Sequence, residues 1–118
     1  MIDGSFDGML LVDRSGEILI ANAAFCNRLG YDRQGVVGTP LDQYVPEAAR
    51  EGHSHFMEEW WAWPRPRMMG GPTDIGVMNA KGEEVSVEAG LGVGYTRLRT
   101  YLIVTVRWAE VSDVCGSN

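Results

Sequence analysis

The sequence predicts an α+β fold, an antiparallel sheet with its helices gathered on one side. Three observations predict it. Two short apolar runs joined by turn residues open the chain, a helical middle carries little strand pattern, and three β-branched or alternating stretches close it. The order is therefore β-β, helices, β-β-β.

Residues 8–12 (GMLLV) and 17–21 (EILIA) are compact apolar runs. Asp13-Arg14-Ser15-Gly16 between them is turn chemistry, so the pair reads as a hairpin. Asn22 can cap a helix over residues 23–29, and Gly30 can end it in the left-handed region. Phe25 and Leu29, four apart, share its face, and Cys26 beside them reads as a packing residue. Asp32 is a second cap, opening a short turn that Gly38 stops, and residues 40–44 form one more helical turn.

The stretch 46–70, PEAAREGHSHFMEEWWAWPRPRMMG, carries both histidines and three of the four tryptophans. A helix is predicted from Pro46 to about Trp61. At about 100° per residue, Ala49, His53, Phe56, Trp60 and Trp63 fall within an arc of roughly 80°. Glu47, Glu51, Ser54 and Glu58 lie opposite. Pro64 and Pro66 then force an extended path. Strands follow at 73–79, with Ile75 and Val77 on one face, at 83–93, and at 99–108, with turns at 80–82 and 95–97. In the second, Val85, Val87, Ala89, Leu91 and Val93 alternate with polar residues or glycine. If they face the helices, Gly90 and Gly92 leave a flat patch outside, suited to close approach of another element. Residues 111–118 read as a tail.

With 118 residues, 45% hydrophobic and 22% charged, the chain has the composition of one globular domain. A net charge of −6, with its nine arginines and one lysine scattered, argues against nucleic acid as a partner. No apolar stretch approaches the roughly 18 to 20 residues of a membrane span, and no signal-peptide pattern is present. Two cysteines, Cys26 and Cys115, make no disulfide framework and suit a reducing cytoplasm.

Five pieces in this order and spacing, DGMLLVDRSGEILIANAAF, LGYDRQGVVGTPLDQYVPE, RPRMMG, KGEEVSVEAGL and YLIVTVR, resemble a PAS domain of bacterial signalling proteins. The resemblance runs over about residues 5–107. It implies a single domain over 1–110, with 111–118 a tail or the start of a linker. It further implies a five-stranded antiparallel sheet in order 2-1-5-4-3 with the helices on one face and a cavity under the long helix. In such domains the cavity holds haem, flavin, a small metabolite or only side chains. The implied role is a sensory or dimerisation module, similar to those of sensor histidine kinases in two-component systems and of diguanylate cyclases. Many family members end the last strand in Arg-Asp-Ile-Thr, with the aspartate helping to couple the sheet to the following helix. Here the chain reads Arg107-Trp108-Ala109-Glu110.

Placed on this fold, the cavity would be lined by His53, Phe56, Trp60 and Met57 from the long helix and by Leu29 and Leu41 from the short ones. Ile75, Val77, Val87, Ala89 and Leu91 would come from the sheet, and Met69 from the connecting loop. A mostly apolar lining with one or two polar groups suits a small, largely apolar or aromatic ligand. His53 falls where haem-based oxygen-sensor kinases of this family carry their proximal iron ligand. Glu59 and Thr73, however, replace the arginines those sensors place against the propionates and the distal ligand. His53 and His55 point about 200° apart on a helix and cannot chelate one ion, so no metal site is predicted. His55 instead joins Glu51 and Glu59 on the solvent side. The Asn-Cys-Arg-Phe-Leu-Gln motif of flavin-adduct light sensors is absent. Gly90-Leu91-Gly92-Val93-Gly94 has no following helix that would make it a phosphate loop.

Three functions are weighed. The first is a cytoplasmic, ligand-sensing and homodimerising module without a bound cofactor, passing its signal to an effector domain outside these residues. The second is a haem-based gas sensor with His53 as axial ligand. The third is a small cavity enzyme with His53 as general base, for which the sequence supplies no catalytic partner.

Overall fold

The computed structural model describes residues 7–69 and 75–108. Strands β1 (Gly8–Val12) and β2 (Ile18–Ala21) form the opening hairpin. Its turn is held by its own polar groups. The Asp13 carboxylate accepts hydrogen bonds from the amide and hydroxyl of Ser15 and from the Glu17 amide, and Gly16 supplies the positive φ of 93°.

Helix α1 (Ala23–Leu29) starts at Asn22 as its spacing predicts. Asn22 Oδ1 accepts from the Phe25 amide at 3.0 Å and from the Met9 amide at 2.9 Å, while Nδ2 donates to the Asp7 carbonyl. The cap thus stitches the helix to β1. Gly30 ends α1 at φ 82°. The freed Leu29 carbonyl accepts from Ala80, and the Tyr31 hydroxyl donates to the Met78 carbonyl at 2.7 Å. Asp32 does precede helix α2 (Arg33–Val36), but its carboxylate makes no capping bond; its backbone carbonyl receives the Gly35 and Val36 amides instead. Leu41–Tyr44 is a 3-10 turn.

The long helix departs from expectation at both ends. Pro46 is extended, Glu47–Ala49 is a 3-10 turn, and α3 proper spans Arg50–Ala62. Trp63 leaves the helix at φ −150°, because Pro64 disfavours a helical residue before it. Trp63 therefore does not join the arc of Ala49, His53, Phe56 and Trp60. It is 69% exposed, with the Arg65 guanidinium over its ring. Trp60 is the one fully buried residue of α3, at 1% exposure. Its Nε1 donates to the Arg65 carbonyl at 2.8 Å.

The extended path after Pro64 becomes a short strand, β3 (Arg67–Met69), with Arg67 opposite Leu91 and Met69 opposite Ala89. Strand β4 (Ile75–Met78) pairs with the start of the same neighbour, Ile75 opposite Val87. Of the strand expected over 73–79, residues 73 and 74 lie outside the described residues, as does the tail at 111–118. Strands β5 (Glu84–Tyr95) and β6 (Thr100–Trp108) are the longest. The turn between them sits at Thr96, whose hydroxyl oxygen accepts from Leu98 and Arg99. That is later than expected, because Gly94 and Tyr95 still pair, with Tyr101 and Thr100. All strands are antiparallel, in the order β2-β1-β6-β5-β3 with β4 also on β5. Since β3 and β4 share one edge position, the sheet has the expected 2-1-5-4-3 order.

Residues facing the helices form the core: Leu10, Val12, Val87, Ala89, Leu91, Leu102, Val104 and Val106 from the sheet, with Phe25, Cys26 and Leu29 of α1 against them. Burial pushes the Cys26 thiol pKa up, consistent with a packing role. Trp108 is buried, with the Arg28 guanidinium 5.4 Å from its ring centroid. On the other face Leu11 lies opposite Ile20 and Ile103, and Gly92 opposite Ile103. Ile20 is 58% and Met9 42% exposed there.

Because Asn22 closes three hydrogen bonds at the β1–α1 junction, Asn22→Ala should cost about 1 to 2 kcal/mol of unfolding free energy in urea titration. A change too small to measure would mean that the cap does not hold this junction.

Candidate functional site

Helix α3 stands off the sheet, and a cavity of about 430 Å³ fills the gap. The cause is local. Toward the sheet the helix and its leading turn present Ala48, Ala49 and Gly52, and the sheet answers with Ala89. Small side chains on both sides leave volume unfilled that bulky ones would close. A Cβ built on Gly52 meets nothing within 4 Å.

Of the residues expected at the cavity, the structure puts Leu41, His53, Phe56, Met57, Ile75, Val77, Ala89 and Leu91 on its wall. Leu29, Trp60 and Val87 are elsewhere, all buried in the core. Leu29 is drawn to the far end of α1, where its carbonyl takes the Ala80 amide. Trp60 is turned toward the segment after the helix by its bond to Arg65. Val87 sits between Ile75 and Trp108 in the ladder. Met69 is in β3, and its side chain lies outside the described part.

The wall also holds Leu10, Phe25, Tyr44, Val45, Val104 and Val106. Two signals could have found most of them. In a 3-10 turn residues i and i+3 eclipse, so Leu41 brings Tyr44 with it. Val104 and Val106 lie opposite Leu91 and Ala89 in the ladder, and Leu10 lies opposite Val104, so they share the inward face.

The polar geometry is spare. His53 Nδ1 lies 3.0 Å from Asp42 Oδ1, linking α3 to the Leu41–Tyr44 turn. The His53 side chain is 13% exposed and the Asp42 side chain 56%. The Tyr44 hydroxyl lies 2.8 Å from Thr39 Oγ1, which is 2.6 Å from the Val36 carbonyl. The Tyr44 ring meets Phe25 and Tyr31 edge-on. Tyr31, on the far side of Tyr44, has its phenol pKa raised by burial and then by Tyr44 itself. Among the described residues, no arginine or lysine lines the cavity; Arg67 rests on the Phe56 ring, 5.0 Å from its centroid. His55 is exposed, away from this wall. Such a site can enclose a small apolar molecule and offer it few polar contacts.

Residues 1–59 match the family model described as PAS fold. The chain belongs to the PAS fold family. This PAS domain also resembles solved PAS structures in its fold. That of an HTR-like protein from Haloarcula marismortui aligns with a TM-score of 0.71 at 20% identity, over 86% of this chain and 80% of that one. One from Colwellia psychrerythraea gives 0.75 at 15% identity, over 92% and 91%. The PAS domain of a two-component sensor histidine kinase gives 0.70 at 16% identity, over 91% and 88%. No curated protein matches the chain. No described helix is long and apolar enough to cross a membrane.

Proposed function

We propose that this PAS domain is a cytoplasmic sensory module that binds a small, largely apolar ligand between α3 and the sheet. It passes occupancy to an effector domain outside these residues, of the kind found in sensor histidine kinases. The observation that carries this reading is the apolar cavity of about 430 Å³, which falls within the range of small-molecule sites. Its walls belong to different elements, α3, the Leu41–Tyr44 turn and the edge strand β4. An occupant would therefore bias how those elements sit on one another. No catalytic role is assigned to His53: among the described residues, the lining side chains include no nucleophile and no oxyanion donor beside it.

A haem reading has one observation in its favour. Asp42 holds His53 Nδ1, as an outer partner of an iron-ligating imidazole would. The cavity does not fit the rest of that group, because no cationic side chain lines it to meet two propionates. Haem reconstitution should yield no Soret band, and a stoichiometric one would restore the haem reading.

The neutral fluorophore N-phenyl-1-naphthylamine should bind with saturation, and Ala89→Leu, which adds bulk to the wall, should weaken it on the order of tenfold. Equal binding by both proteins would place the fluorophore outside this cavity.

The outer sheet face supports a homodimer. Its exposed Ile20 and Met9 flank Leu11 and Ile103, and Gly90 and Gly92 keep it flat. Sedimentation velocity should find a dimer that Ile20→Glu shifts to monomer. A dimer indifferent to that charge would have to use another surface.

A further inference from the structure

We infer that the cavity selects neutral ligands that donate a hydrogen bond, such as phenols, alcohols or heteroaromatic N–H groups, and discriminates against carboxylates and phosphates. The inference rests on the cavity reading above and follows from counting protons. A carboxylate only accepts, so the His53 nitrogen facing Asp42 Oδ1 at 3.0 Å is the one that carries the proton. In the neutral ring Nε2 is then a bare acceptor. It has no partner among the described residues. Nor is it sealed away, since no buried side-chain nitrogen or oxygen lacks a hydrogen bond. Asp42 is absent from the cavity wall and lines the neighbouring groove, whereas His53 borders both. The protonated edge of the imidazole is thus spent on the groove side, and its lone pair is what it can offer an occupant.

The second polar side chain on the wall leads to the same result. Thr39 has one hydroxyl proton, and its Oγ1 lies 2.6 Å from the Val36 carbonyl, which can only accept. The Tyr44 hydroxyl, 2.8 Å from the same oxygen, must therefore be the donor of that pair. Its proton is committed too. The remaining lining side chains are apolar, and the Arg67 guanidinium, stacked on Phe56, is not among them. Among the described residues, no side chain of the wall has a free donor. An anion entering here would lose its hydration and gain no side-chain N–H or O–H from the described wall in return. A neutral donor would find the lone pair of Nε2.

Three matched molecules read this out by competition against N-phenyl-1-naphthylamine at pH 8. They are 2-naphthol (donor), 2-methoxynaphthalene (same rings, no donor) and 2-naphthoate (anion). The expected order is 2-naphthol tighter than the ether by roughly 3- to 10-fold, with 2-naphthoate weakest. In His53→Phe the naphthol advantage should fall to about onefold while the ether still binds. Equal affinity of naphthol and ether in the natural protein, a preference for 2-naphthoate, or an advantage that survives His53→Phe would each overturn the donor rule and leave the cavity standing. Failure of all three to bind would overturn the cavity reading itself. The wild-type comparison stands even if the variant does not fold.

Discussion

Helix α3 is fastened most firmly at one end, by the buried Trp60 indole with Trp61 edge-on to it, and much of the rest of the domain depends on that asymmetry. Trp60 is buried to 1% exposure, while Arg50, Glu51, Gly52 and their neighbours on the same helix are exposed. Burying an indole removes roughly 150 to 250 Å² from water, worth about 4 to 6 kcal/mol. The Nε1 bond to Arg65 adds only about 1 kcal/mol net, but it spares the buried N–H a larger penalty and fixes how the ring sits. The C-terminal end of α3 is therefore held by burial. Toward its N-terminal end the contacts grow lighter, from the half-buried Phe56 and Met57 to the His53–Asp42 pair and the Arg50 side chain on the Val45 carbonyl. A helix pinned at one end and lightly tied at the other can tilt over the space beneath it, and that space is the cavity.

The polar groups around the cavity are arranged to hold the protein together first. Asp42 orients His53, and Thr39 takes the proton of Tyr44. What they leave toward the cavity is acceptor capacity and apolar surface. The chemistry of the site is thus a by-product of how the fold satisfies its own donors, which is why it can be read from proton counts.

Much of the sheet was legible because its cues are local. The Asp13–Gly16 turn, the Asn22 cap, the Gly30 stop and the alternation of Val87, Ala89 and Leu91 each act within a few residues. What the pattern misplaces has a different cause. Periodicity puts Trp63 on the helix arc because it does not register the restriction Pro64 imposes on the residue before it. The pattern shows β3 only as an extended path, since a strand of three residues is defined by its partner, Ala89 to Leu91. At the cavity, helical spacing identified His53 and Phe56. It could not separate Trp60, on nearly the same face, from the wall, because its orientation is set by a carbonyl beyond the helix end. Tyr44 escaped notice for a related reason: its burial comes from Phe25 and Tyr31, which only the tertiary fold brings to it.

On the proposed function, a neutral molecule enters between α3 and the inner face of the sheet. Methyl-labelled NMR during titration with N-phenyl-1-naphthylamine tests it most directly, because the two faces of the sheet carry distinct reporters. Shifts are expected at Ile75, Val77, Leu91 and Val104, which line the cavity, with Ile20 and Ile103 on the outer face unmoved. Shifts confined to Ile20 and Ile103, or saturable binding that moves none of the four inner methyls, would contradict it.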